Sequence, residues 1–200
     1  MSPWSCSCSS LFSLYRRSAG CSVWAAIATT ALIGSFGYPV TAAAQSSCWT
    51  TVGSAGAVDE ADLSQVALNS SDTAILPRVL AGTVDTRYNV VAVPGIFGGT
   101  LNSKEMTARI ADNGASSRVV LRFIRQNFVT GVSTIVATLD SNAFAPSAVA
   151  QARTVSFNND APELDFKNNF YFISATLSKL GSSGNPVVRG IRICPRFVVR

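Results

Sequence analysis

The sequence predicts an all-β protein: a single antiparallel β-sandwich of about eight or nine short strands, following an N-terminal leader. Three observations carry that reading. Apolar and polar residues alternate with period two along most of the chain, as half-buried strands require. Gly, Pro, Asn and Ser punctuate those runs at regular spacing. Hydrophobic residues make up 48% of the 200 residues and charged ones 14%, a balance that fills a core and excludes a disordered chain.

In chain order, short strands are expected near Trp49–Gly53 and Thr73–Leu76. Between them Val58–Leu68 is the one helical candidate, because Asp59, Glu60 and Asp62 near its start suit the helix dipole. A longer strand covers Thr83–Val93, with Val84, Tyr88, Val90 and Ala92 on one face. Pro94-Gly95 and Gly98-Gly99 break the chain there. Glu105–Asp112 and Ser117–Gln126 flank Asn113-Gly114, a dipeptide that accepts positive φ and predicts a hairpin. In the second of these runs Val119, Leu121 and Phe123 face the core, while Arg118, Arg122, Val120 and Ile124 share the other side. Thr130-Gly131 turns the chain into Val132–Leu139, and Gln151–Phe157 follows. In Asn169–Leu180, Tyr171, Ile173, Ala175 and Leu177 alternate with Phe170, Phe172, Ser174 and Thr176. Apolar residues on both faces at its start predict a central strand. Gly184-Asn185-Pro186 leads into Val187–Cys194, and Pro195–Arg200 reads as a tail. Jelly-roll and immunoglobulin-like topologies both fit this pattern.

The first 44 residues have a different composition. They hold no Asp, Glu or Lys; Arg16 and Arg17 precede an apolar run from about Cys21 to Phe36, and Ala42, Ala43 and Ala44 follow. A basic region, an apolar run and a small-residue end describe a signal peptide. Cleavage near Ala44 leaves residues 45–200 as one β-sandwich domain and sends it to a secreted or periplasmic location. An uncleaved anchor is the competing reading, although the apolar run falls short of the roughly 20 residues that a span needs. Removing Arg16 and Arg17 takes two from a formal net charge of +5, which indicates no particular partner.

Of the five cysteines, Cys6, Cys8 and Cys21 leave with the leader; Cys48 and Cys194 remain, one near each end. In an oxidising compartment such a pair is expected as a disulfide. Closing so long a loop contributes roughly 4–5 kcal/mol in the chain-entropy model.

The chain has no His, which removes imidazole-based triads and His-bound zinc. No catalytic residues, cofactor site or metal site are assigned. Paired carboxylates among Asp59, Glu60 and Asp62, or Asp160, Glu163 and Asp165, are the remaining hydrolytic option, as in glycoside hydrolysis. Their plainer role is turn chemistry. The oxygen-rich stretch from Asn158 to Asp165 is also weighed as a calcium loop, without the regular spacing of one. Arg118 and Arg122, with Arg189 or Arg192, form a basic stripe if they share a face, and otherwise ordinary wet-face charge. Trp49, Tyr88, Phe97, Phe128 and Phe144 lie near turns or strand ends, where aromatics either stack on ligands or close a core. The glycines at 95, 98 and 99 lack the Lys-Ser/Thr of a phosphate loop.

Several segments together resemble a loose group of small exported bacterial β proteins: Val58-Asp59-Glu60, Thr86-Arg87-Tyr88-Asn89-Val90, the run from Asn169 to Leu177, and Gly184-Asn185-Pro186 followed by Gly190-Ile191-Arg192-Ile193-Cys194. The group has no assigned activity, so the resemblance implies a sandwich fold and export and carries no site residues. The function expected is an exported, non-catalytic binding or surface-associated module. Its partner is a glycan, an envelope component or a protein, with no specific nucleic-acid signal and no membrane span in the mature chain. A carboxylate-dependent hydrolase acting on glycans and a structural subunit assembling by strand pairing are the alternatives.

Overall fold

The computed structural model of the protein describes residues 48–76, 79–93, 103–114, 116–158, 164–182 and 184–196. The leader expected over 1–44, Phe97, the glycines at 95, 98 and 99, Asp160 and Glu163 lie outside the described residues. None of the described residues forms a helix long and apolar enough to cross a membrane.

The described chain is almost entirely antiparallel strand. In order these are β1 (Trp49–Val52), β2 (Ala57–Val58), β3 (Val66–Leu68), β4 (Thr73–Ile75), β5 (Ala81–Val90), β6 (Ser103–Asp112), β7 (Ser117–Asn127), β8 (Ser133–Asp140), β9 (Ser147–Asn158), β10 (Asn169–Leu180) and β11 (Val187–Pro195). They form two sheets. One is five-stranded in the order β2-β5-β10-β7-β8. The other is six-stranded in the order β3-β4-β11-β6-β9, with β1 also pairing β11.

The pairs β4–β11, β5–β10, β6–β9 and β7–β8 are nested in sequence and fall alternately in the two sheets. That is a long antiparallel ribbon rolled up on itself, the jelly-roll arrangement. The fold class expected from the sequence is therefore the one observed, and the topology left open is the jelly roll.

Both inner faces follow the alternation. Val84, Tyr88, Leu121, Phe123, Tyr171, Ile173 and Leu177 come from one sheet; Ile75, Met106, Ile110, Val188, Ile191 and Ile193 come from the other, and all are buried. Phe123 joins the layers, with its ring 5.6 Å from that of Phe157 across the sandwich and 5.8 Å from that of Tyr171 beside it. Lys179 is buried at one end of the core, where its Nζ donates to Asn185 Oδ1 at 2.6 Å. Long ammonium side chains enter a core only with such partners.

The disulfide Cys48–Cys194 spans 146 residues, with Cα atoms 4.6 Å apart, and fastens the start of β1 to β11. After β1 the chain turns from one sheet to the other at Gly53. The Gly53 carbonyl accepts from Tyr88 Oη (2.8 Å) and Thr73 Oγ1 (2.7 Å). A Cβ at Gly53 would lie 1.9 Å from the Val188 carbonyl oxygen, so only glycine fits this approach.

Three local expectations are corrected. The helix over Val58–Leu68 does not form: β2, a 3₁₀ turn at Glu60–Asp62 and β3 occupy that stretch. Asp59 caps the 3₁₀ turn by accepting from Ala61 N at 3.0 Å, so the acidic cluster marks a single turn, and the apolar residues on either side serve opposite sheets. The Asn113-Gly114 turn does not close a hairpin. It carries the chain from β6 in the six-stranded sheet to β7 in the five-stranded one. Gly114 supplies φ +97°, but the nested pairing gives β6 to β9 and β7 to β8. Finally, β5 ends at Val90, which leaves Ala92 outside the strand and exposed.

Candidate functional site

Strand β10 lies between β5 and β7, as a central strand should. Its inward residues fill the core, and its outward residues stand in the middle of a face that no other described element covers. Register sorts that face into rows running across the strands. One row reads Asn89–Phe172–Ile124–Ile135 and the next Arg87–Ser174–Arg122–Thr138. A third reads Asp85–Thr176–Val120–Asp140, and Phe170 stands opposite Gln126. An apolar band thus lies beside a polar one.

The face is grooved along β5 and β10. One depression of about 480 Å³ is lined by Arg87, Asn89, Gln126, Asn169, Phe170 and Phe172 among others. A second, of about 260 Å³, is lined by Val58, Asp59, Asp85, Arg87 and Ser174 among others. Arg87 borders both, and its guanidinium lies 4.8 Å from the centre of the Phe172 ring, a cation–π contact that fixes both side chains. Phe170 is 53% exposed and Phe128 65% exposed; their rings sit 5.2 Å apart. The β7–β8 turn sets Phe128 in place. Asn127 Oδ1 accepts from Val129 N and Thr130 N, and Phe128 N donates to Asn168 O at 2.8 Å.

Most acidic side chains on this side of the molecule already have structural work. Asp85 accepts from Thr176 Oγ1 at 2.7 Å, and Asp62 accepts from Asp85 N at 2.9 Å. Asp140 forms an ion pair with Arg118, and that hydrogen bond holds its carboxyl below the usual carboxylate range. Asp165 accepts from the Asn168 side chain and from the backbone N–H groups of Lys167 and Asn168, which likewise keeps its carboxyl low. Asp59 and Asp85 line the same groove. Among the described residues no three His, Cys, Asp or Glu side chains gather closely enough to hold a metal ion.

The residues singled out in the sequence are distributed as follows. Trp49 and Tyr88 are buried in the core. Phe144 is half-buried, 5.2 Å from the Arg153 guanidinium, and Phe128 belongs to the open face. The arginines do not form one stripe: Arg118 and Arg122 project from the five-stranded sheet, whereas Arg189 and Arg192 lie on β11 of the other. Arg189 is also paired with Asp72 at 3.4 Å.

Phe170 and Phe172 were not singled out in the sequence as candidate site residues; the apolar side chains on both faces there pointed only to a central strand, which β10 is. The signal that could have found them was the rest of the same face, where Ser174, Thr176 and Ser178 turn it polar. An open face with an aromatic end reads that way.

No family model matches the chain, and no curated protein matches it. Among solved structures it is similar to the xylan-binding module CBM15, at 10% identity and a TM-score of 0.46 over 78% of this chain and 100% of that one. It is also similar to a carbohydrate-binding module from Cellvibrio mixtus lichenase 5A in complex with cellotriose, at 11% identity and a TM-score of 0.37, covering 74% and 98%. A cyclase from Fischerella sp. TAU is similar at 14% identity and a TM-score of 0.41, covering 76% and 77%. At such values the functions named for those proteins remain theirs.

Proposed function

We propose that the protein is an exported, non-catalytic glycan-binding module whose ligand lies on the open face of the five-stranded sheet. The observation that carries this is the pairing of exposed Phe170 and half-buried Phe172 with Arg87, Asn89, Gln126 and Asn169 around one groove. A sugar ring presents a C–H face and a rim of hydroxyls. Aromatic faces take the first, and amides and guanidinium, with several donors and acceptors held on strands, take the second. Binding sites combine apolar walls with a few placed polar groups in this way. Residues held in strand register need little ordering on binding, which favours a rigid, non-reacting platform.

The test is affinity electrophoresis and calorimetry against soluble xylan, mixed-linkage β-glucan and mannan. Retention by at least one, weakened about tenfold or more by Phe172→Ala, is expected; a loss of about 1.4 kcal/mol corresponds to tenfold. Absence of retention on all three, or full retention by the variant, overturns the proposal. Asp59 and Asp85 share a groove, so the hydrolytic alternative is read in the same samples. Release of reducing ends by the native protein but not by Asp85→Asn would replace binding with turnover.

A further inference from the structure

The opposite face of the sandwich has a separate feature. On the outer side of the six-stranded sheet, register sets Val52, Gly190, Arg109 and Ala152 in one row and Thr50, Arg192, Thr107 and Thr154 in the next. Arg109 and Arg192 are diagonal neighbours on β6 and β11, a separation of about 7–8 Å at the backbone. Both are exposed. Between them Gly190 leaves a notch with a backbone floor, part of a depression of about 330 Å³ that Thr107, Arg109, Ala152 and Arg192 help to line. A Cβ at Gly190 would lie 3.1 Å from the Thr51 carbonyl oxygen of the paired strand, so the residue there stays small.

The ion pairs found among the described residues are Arg118–Asp140 and Arg189–Asp72, and neither uses Arg109 or Arg192. Glu105, opposite Cys194 on the same face, is a diagonal neighbour of Arg192 as Arg109 is, and Asp72 is engaged by Arg189, next to Gly190 in the chain. Arg196 adds a further cation near this end, donating to Ser156 Oγ at 3.1 Å. Thr107 and Thr154 share a hydrogen bond of 2.9 Å beside the notch, so hydroxyl groups flank the guanidinium pair.

From this geometry we infer that the Arg109–Gly190–Arg192 notch is a second binding site, for the oxyanion of an acidic polysaccharide. Two guanidinium groups offer forked donors suited to a carboxylate or a phosphate. The glycine floor and the small Ala152 let such a group come down between them. The site is on the sheet opposite the Phe172 groove and does not depend on it. Either a uronate carboxylate or a phosphate ester fits this chemistry.

The experiment uses the purified protein in affinity electrophoresis with sodium polygalacturonate, with phosphorylated mannan and with unsubstituted mannan, at low and at raised salt. The expected result is retention on one or both acidic polymers beyond that on neutral mannan, weakening with salt, and reduced about tenfold in Arg109→Gln/Arg192→Gln but not in Phe172→Ala. Retention on polygalacturonate alone assigns a carboxylate, retention on the phosphorylated polymer alone assigns a phosphate, and retention on both assigns the shared oxyanion chemistry. No retention beyond neutral mannan, or undiminished retention by the double arginine variant with its circular dichroism intact, overturns the inference. Failure of the Phe172 groove would show instead as loss of neutral-glycan binding, with acidic-polymer retention unchanged.

Discussion

The two outer faces of this sandwich are built on the same scaffold and carry different chemistry. The five-stranded face puts Phe172, Ile124 and Ile135 in one row and Arg87, Ser174 and Arg122 in the next, and its cations are partly engaged, Arg87 by an aromatic ring and Arg118 by Asp140. The six-stranded face is small-residued and hydroxylated around two arginines outside any ion pair found among the described residues. The difference teaches that a jelly roll specifies its two inner faces together and its two outer faces separately. Inner residues must satisfy a shared core, while each outer row answers only to its own sheet.

Breaking the shared core should erase the comparison altogether. Phe123 is fully buried and touches both layers, so Phe123→Ala is expected to cost about 3–5 kcal/mol. Chemical denaturation should show that loss, and retention on neutral and acidic polymers should fall together. If one face kept its binding in full while the other lost it, the sheets would be less coupled than their packing indicates.

Cutting the covalent fastening should act next, and unequally. Replacing Cys48 and Cys194 by Ser is expected to cost about 2–5 kcal/mol. Because the bridge holds β1 against the strand that carries Gly190 and Arg192, amide hydrogen exchange should rise first in β1 and β11. The Phe172 groove, on the other sheet, should lose protection later. Equal acceleration everywhere would contradict that asymmetry.

The smallest effect sharpens the contrast through charge. The Asp140 carboxyl is held low in the folded protein, chiefly by its hydrogen bond from Arg118. Its ion pair therefore adds stability above the ordinary Asp range, and that contribution is lost as pH falls through the lowered folded value. The melting temperature of Asp140→Asn should be less sensitive to acid than that of the native protein. The variant should also gain slight retention on acidic polymers, because Arg118 loses its carboxylate partner. The pair is exposed and screened by salt, so an undiminished acid dependence in the variant would place the sensitivity elsewhere.

Much of the fold was legible because burial imposes period two. The run from Asn169 to Leu180 appeared as one strand with the observed boundaries, and Val119, Leu121 and Phe123 were assigned to the core where they lie. What was not legible depended on partners far away in the chain. Asn113-Gly114 has the local chemistry of a hairpin turn, yet the strands it joins belong to different sheets. Asp59, Glu60 and Asp62 suit a helix start, yet the chain must leave one sheet and return within a few residues, which leaves room for a single turn. At the site, Phe170 and Phe172 were visible as apolar residues on the second face of β10, and Ser174, Thr176 and Ser178 mark that face as open, but nothing local says that Arg87 and Asn89 meet Phe172 there.

By itself, then, the sequence determined the strand class, the alternation that divides inner from outer residues, and the cysteine pair available to join the chain ends. These follow from local periodicity and composition, which each segment carries on its own. Only the tertiary structure decided which strands pair. It also decided that Arg87 meets Phe172 across adjacent strands while Arg109 and Arg192 flank Gly190 on the opposite sheet. Register between strands distant in sequence sets these contacts, and it emerges only when the nested ribbon rolls up and the inner faces compete for one core.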